Sequence, residues 1–266
     1  MTDNDGFVDM RAILDAMDDT SKAEMAASAP QKTYKLQASP RVHPQGNGTT
    51  SVADSPSSGD NTSHPTFTLK KDLVMKLEMV FPTEFVTESL GGYQFKTKGI
   101  LLRALLHRTY KQSKRPRNKT CCDPLDYVGD YVLKFLISQY ILEHCPEKHK
   151  ESLAQRRSLV ESQETYAFLA VKNNFHKYVF IQQLGDGSQD YEHLKAYIEG
   201  IKNVQTLKEL FQVEKRKCFI HNFFQSVAGA IYVDSGYDVK TVADIYLPML
   251  KKYLDEAIVA ELDELK

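Results

Sequence analysis

From residue 69 onward, apolar residues recur every three or four positions, and strict apolar–polar alternation is scarce. A 3.6-residue repeat places such residues on one face of a helix. The pattern predicts helices over 69–80, 98–110, 123–143, 151–162, 164–173, 193–203, 206–214, 217–235 and 239–265. In 123–143 the rhythm runs through Leu125, Val128, Val132, Leu133, Leu136 and Tyr140; in 217–235 it runs through Phe223, Phe224, Val227, Ala228 and Ile231. Residues 69–266 therefore read as one all-α domain.

The first 68 residues have a different texture. Residues 26–68 are rich in Ser, Thr, Pro, Asn and Gly and hold almost no bulky aliphatic side chains. Such a stretch buries too little apolar area to offset the entropy of ordering and is expected to be disordered. Nearer the start, Phe7, Met10, Leu14 and Met17 are spaced by 3, 4 and 3 positions. Over 5–18 this is either chance periodicity or a short helix that folds into a partner's groove, with Asp3 or Asp5 as its cap.

Composition narrows the class. The 266-residue chain is 42% hydrophobic and 26% charged, with a net charge of −1. That is the balance of an ordinary globular protein, and bulk charge does not mark it for nucleic acid. The tail of 1–68 carries a net −4 and the remainder a net +3. No CxxC spacing occurs among Cys121, Cys122, Cys145 and Cys218, so neither a disulfide framework nor a structural zinc is expected, and a reducing compartment is the default. The most apolar run, 132–142, is 11 residues long and contains Lys134, Ser138 and Gln139. A membrane span needs about 20 apolar residues, so no membrane partner is expected. The acid-rich N-terminus resembles neither a secretory signal nor a mitochondrial presequence.

Four polar positions interrupt the two best helices. Asp126 and Asp130 stand at i,i+4, with both carboxylates on one face. They suit either a solvated face or a paired-carboxylate Mg²⁺ site. Asn222 and Gln225, at i,i+3, suit interior hydrogen bonds or a surface as well as ligands.

These residues sit in motifs that resemble the ribonuclease III family. DPLDYVGDYVL at 123–133 resembles the family's ERLEFLGDAVL-type signature helix, and QSVAGAIYVDSG at 225–236 resembles its ESLAGAIYxDSG helix. LGGYQF at 90–95 and LLRALLHRTY at 101–110 are similar to the opening motifs. Arg157-Ser158, FLAVK at 168–172 and HKY at 176–178 are similar to the middle of the domain. HKY, with YLPM at 246–249, is most similar to the second ribonuclease III domain of Dicer. The resemblance implies an all-α nuclease fold that pairs side by side with a second such domain, either a second copy or another ribonuclease III-type domain such as Dicer's. It places Tyr127, Val128, Gly129 and Gly229 at that interface. It also makes double-stranded RNA a candidate ligand.

In the family, each helix supplies two carboxylates to the metal site. Asp126 and Asp130 match the first pair, with Asp126 one methylene short of the usual Glu. The second pair, D-x-x-E in the enzymes, reads Asn222-Phe-Phe-Gln225. Each lost charge is worth up to about 4 kcal/mol at ~4 Å and an effective dielectric near 20, and twice that toward a divalent ion. Around the same site, Cys218 replaces a usual Lys, His221 a small residue and Asp123 the leading Glu. The expectation is therefore a catalytically degenerate domain holding no Mg²⁺, or holding it weakly, and acting as an accessory in RNA processing or a small-RNA pathway. The alternatives are an active double-strand-specific endonuclease with an atypical site, and a non-catalytic subunit of a ribosomal or processing complex.

The acid-free run Arg108, Lys111, Lys114, Arg115, Arg117 and Lys119 is a solvated loop, an RNA-phosphate contact or a nuclear localisation patch. Location is thus cytoplasmic, nuclear or both. His107 is expected to be structural. No double-stranded-RNA-binding domain is expected after the acidic last helix.

Overall fold

The computed structural model describes residues 81–107, 124–145, 149–181, 188–213 and 218–260. The expected tail, the helices over 5–18 and 69–80, Cys121, Cys122, Asp123 and the whole basic run from Arg108 to Lys119 lie outside those residues.

The described chain is helical: α1 (Thr83–Ser89), α2 (Lys98–Ala104), α3 (Pro124–His144), α4 (Lys150–Val160), α5 (Gln163–Lys172), a 3₁₀ turn (Phe175–Lys177), α6 (Ser188–Gly200), α7 (Leu207–Gln212), α8 (His221–Asp234) and α9 (Val239–Val259). Among the described residues the one β-type pairing is a bridge between Leu106 and Phe180. None of the described helices is long and apolar enough to cross a membrane.

The domain is built around α8. Every residue from Phe223 to Ile231 is buried, which is the signature of a helix surrounded on all sides. It packs against α3, α5, α2 and α9. Phe224 is the hub of an aromatic cluster, with ring centroids 4.9 Å from Tyr246, 5.3 Å from Phe175 and 5.7 Å from Tyr166. Phe85 extends the cluster from α1, 4.8 Å from Phe175. The Tyr246 hydroxyl, fully buried on α9, donates to the Phe224 carbonyl at 2.8 Å.

Local chemistry sets several helix ends. Ser162 accepts from the Thr165 amide, and Thr206 with Glu209 forms a reciprocal capping box. Asp238 accepts from the Lys240 and Thr241 amides at the start of α9. The turn after α1 places Gly91 and Gly92 at φ 60° and 76°, where a side chain would be strained.

The helix expected over 98–110 ends at Ala104. Its amphipathic rhythm continues, but Leu105 and His107 are drawn into backbone hydrogen bonds with Phe180 at 2.9 Å each. Likewise α8 begins at His221, after a turn at Phe219–Ile220, and α7 is only six residues. Helix α1 was not among the expected helices, because only Phe85 and Val86 of its seven residues are buried and no periodicity shows at that length.

Candidate functional site at the crossing of two helices

Helices α3 and α8 cross at two glycines. A methyl group on Gly129 would overlap the carbonyl oxygen of Gln225, and one on Gly229 would overlap that of Leu125. The backbones thus touch. This corrects the sequence-based placement of Gly129 and Gly229 at a dimer surface: both are buried and are used inside the domain.

The close crossing brings Asp130 beside Gln225. The Gln225 side chain is buried, and its Nε2 donates to Asp130 Oδ1 at 2.7 Å. Lys134, one turn further along α3, donates from Nζ to Asp130 Oδ2 at 2.7 Å. Each carboxylate oxygen therefore accepts from a nitrogen donor, one of them cationic. The Lys134–Asp130 pair has side-chain exposures of 39% and 24%, so solvent screens it only in part. The hydrogen bond to Asp130 raises the Lys134 pKa, opposed by burial. Lys134 was not among the expected site residues, although its i,i+4 spacing from Asp130 is visible in the sequence.

The other two expected residues lie one turn away on the same helices. Asp126 is half-buried on α3, and Asn222 is exposed in the first turn of α8. Under the site, the fully buried Tyr166 hydroxyl has no hydrogen-bond partner. Burial raises its pKa well above the usual phenol range, and the Asp130 and Glu161 carboxylates add to the shift. Three residues before α8, the Cys218 thiol is pushed up to about 11 by burial. His221 places Nδ1 2.7 Å from the Cys218 carbonyl oxygen, and burial lowers its pKa.

This arrangement does not fit Mg²⁺. The ion requires hard oxygen ligands in a near-octahedral shell. Here Gln225 turns its N–H toward the carboxylate, and an ammonium stands on the other oxygen. Among the described residues, no three His, Cys, Asp or Glu side chains are grouped to hold a metal ion.

A second surface runs along the same helix. Tyr127, Tyr131 and Phe135, spaced one turn apart, are 59%, 58% and 56% exposed. With Val128, Val132 and Tyr232 they line an open groove of about 320 Å³. Large aromatic side chains left in water at that spacing form a patch rather than scattered surface residues. Of the expected interface residues, Tyr127 and the half-buried Val128 belong to it. Lys134 joins the two surfaces, since its Nζ also lies 5.7 Å from the Tyr131 ring centroid.

Two residues outside the expected set hold the frame. Asp234, the last residue of α8, is buried and accepts from Lys96 N and Thr97 N at 2.8 Å each and from the Tyr93 hydroxyl at 3.0 Å. It thereby ties the LGGYQF turn and the start of α2 to α8. Buried Arg156 donates to the carbonyls of Ala257, Ile258 and Ala260 and closes the end of α9. His107 is buried, with Nε2 3.7 Å from Asp190 and its ring 4.6 Å from Phe219, as a structural residue would be.

A family model described as the ribonuclease III domain matches residues 123–236. Endoribonuclease Dicer homolog 2 of Arabidopsis thaliana is 29% identical over 195 residues, covering 72% of this chain and 13% of that protein. Endoribonuclease Dicer of Danio rerio is 29% identical over 184 residues, and Dicer-S of Xenopus laevis 30% over 180, each with 9% of the relative covered. The chain thus spans a small fraction of the curated relatives it matches. A solved nuclease domain of ribonuclease III from Campylobacter jejuni aligns with a TM-score of 0.45 and 17% identity, covering 64% of this chain and 96% of that one. Both elements of the candidate site, α3 and α8, fall inside the matched span, and this chain carries a ribonuclease III family domain similar to those of Dicer.

Proposed function

We propose that this is a non-catalytic ribonuclease III module. It pairs through the aromatic face of α3 with another ribonuclease III-type domain and serves as an accessory in double-stranded-RNA processing. The observation that carries this reading is the pairing of Asp130: each of its oxygens accepts from nitrogen, one from the Gln225 amide and one from the Lys134 ammonium.

Phosphodiester hydrolysis by this family's chemistry needs a divalent ion to activate water and to steady the leaving oxygen. Gln225 cannot take a proton from water as a carboxylate can, and its amide faces Asp130 as a donor. Pairing, by contrast, needs only the exposed face. Tyr127, Tyr131 and Phe135 supply apolar area, and the phenol hydroxyls of Tyr127 and Tyr131 leave the rim able to hydrogen-bond.

The test is a cleavage assay on long double-stranded RNA with Mg²⁺ and with Mn²⁺, run beside an Asp130→Asn variant. The wild type is expected to leave the RNA intact. Cutting that disappears in Asp130→Asn overturns the reading and makes the domain an endonuclease with an atypical site. Cofractionation with ribosomal particles, in place of a ribonuclease III-type partner, would move its role to a ribosomal complex.

A further inference from the structure

Asn222 and Gln225 withhold two carboxylates from a metal, and Lys134 is a separate obstacle to one. We infer that the Lys134 ammonium is a built-in cation standing in place of the metal, so that returning Asn222 and Gln225 to acids does not restore metal binding until Lys134 is also removed. This rests on the reading of the site as non-catalytic.

The geometry gives Lys134 that role. Its Nζ is 2.7 Å from Asp130 Oδ2, on the side of the carboxylate opposite to the Gln225 donor. Asp130 and Lys134 stand at i,i+4 on α3, so the helix keeps the ammonium within reach of the carboxylate. A divalent ion sits about 2.1 Å from each carboxylate oxygen it binds. An ion on Asp130 would meet the ammonium within the next coordination distance, in a half-buried setting where like charges repel strongly. Glu161, just after α4, adds its field to hold the ammonium in place, and the Tyr131 ring centroid lies 5.7 Å from Nζ. Leaving would cost Lys134 all three interactions.

The argument separates two effects. Gln225 and Asn222 decide whether ligands exist; Lys134 decides whether the one good carboxylate is available to a cation from solution. In an N222D/Q225E protein the added negative charge lands next to an ammonium already in place. The ammonium keeps Asp130 paired and repels an incoming ion, so Mn²⁺ gains less from the new acids than it would without Lys134.

The test uses the full chain and Mn²⁺ as the probe, read by electron paramagnetic resonance of the free ion and by the thermal midpoint. Wild type, N222D/Q225E, K134M and K134M/N222D/Q225E are titrated in parallel, with circular dichroism in EDTA to confirm folding. Wild type, N222D/Q225E and K134M are expected to show weak or no binding. The triple variant is expected to bind at least about tenfold more tightly than N222D/Q225E, as removal of one nearby like charge requires. Its midpoint should be lowest in EDTA and rise with Mn²⁺. If K134M unfolds the chain, K134Q keeps a polar tip at the same position and replaces it. K134R on the N222D/Q225E background, which keeps the charge, is expected to ignore Mn²⁺.

Equal affinity in N222D/Q225E and the triple variant overturns the inference, as does a triple variant that folds and binds nothing. Tight binding by K134R/N222D/Q225E overturns it too. These readouts involve no RNA. A wild type that binds Mn²⁺ without cutting defeats this inference alone, and a wild type that cuts defeats the proposed function.

Discussion

Gly129 and Gly229 meet backbone to backbone, and a methyl on Gly129 would lie 2.8 Å from the Gly229 nitrogen. The obstacle on either side is main chain, which cannot swing away as a side chain can. Gly129→Ala and Gly229→Ala should each destabilise the domain by about 1–3 kcal/mol or more, the usual cost of forcing a methyl into a full contact. Urea unfolding measures this. Because both substitutions push the same two helices apart, the double variant should cost less than the sum.

Asp234 gathers three donors with two oxygens. Asp234→Asn keeps the shape but turns one oxygen into a donor facing a donor. The expected loss is about 2–3 kcal/mol, since charge-assisted hydrogen bonds to a buried carboxylate are removed. Tyr93→Phe, which removes one donor and leaves the backbone pair, should cost about 1 kcal/mol. Thermal unfolding of the two variants gives the ranking, and the reverse order would show that the amides of Lys96 and Thr97 do not carry the clamp.

Arg156 satisfies three carbonyls at the end of α9 from a single Nη1. Arg156→Met retains much of the buried stem and abandons the carbonyls. Stability should fall by about 2–4 kcal/mol, because the last-turn acceptors are left without a donor. Hydrogen exchange should show the amides of the last turns of α9 opening first, with α3 and α8 still protected.

The pairing face predicts a change in association without a change in fold. Tyr131 is exposed, so Tyr131→Asp buries no charge in the monomer and should leave the thermal midpoint nearly unchanged. In sedimentation velocity the wild type is expected to form a dimer, and this variant to run as a monomer. A wild-type monomer that also fails to bind a separate ribonuclease III domain would remove the pairing role from this face.

Stability should depend on pH through a buried histidine. Burial lowers the His176 pKa from 6.5 to about 4. Between those values the unfolded chain binds a proton that the folded chain refuses, so the contribution is complete above pH 6.5 and is lost as pH falls toward 4. The loss amounts to roughly 3 kcal/mol over the window, from about 1.4 kcal/mol per pKa unit. His221, also lowered by burial, acts in the same direction. Urea midpoints at pH 7.5 and 5 should differ accordingly, and His176→Gln should flatten the slope.

The sequence by itself determined the helical class, the order of the main helices and the resemblance that places the candidate site on α3 and α8. Those features are periodic or local: an apolar rhythm over 21 residues in α3 and contiguous motifs along the chain both survive in one dimension. It also named Asp130 and Gln225, because their chemical types depart from their surroundings. It could not decide that they touch, nor that Lys134 completes the set, since that depends on how closely two helices approach. The same closeness took Gly129 and Gly229 out of the expected pairing surface: a glycine in a motif looks alike whether it admits a partner chain or a neighbouring helix. Helix ends at Ala104 and His221, the Asp234 clamp and the Arg156 cap were likewise settled by contacts between segments far apart in sequence. Buried hydrogen bonds must be satisfied wherever the fold puts them, and only the packed structure fixes which distant group does so.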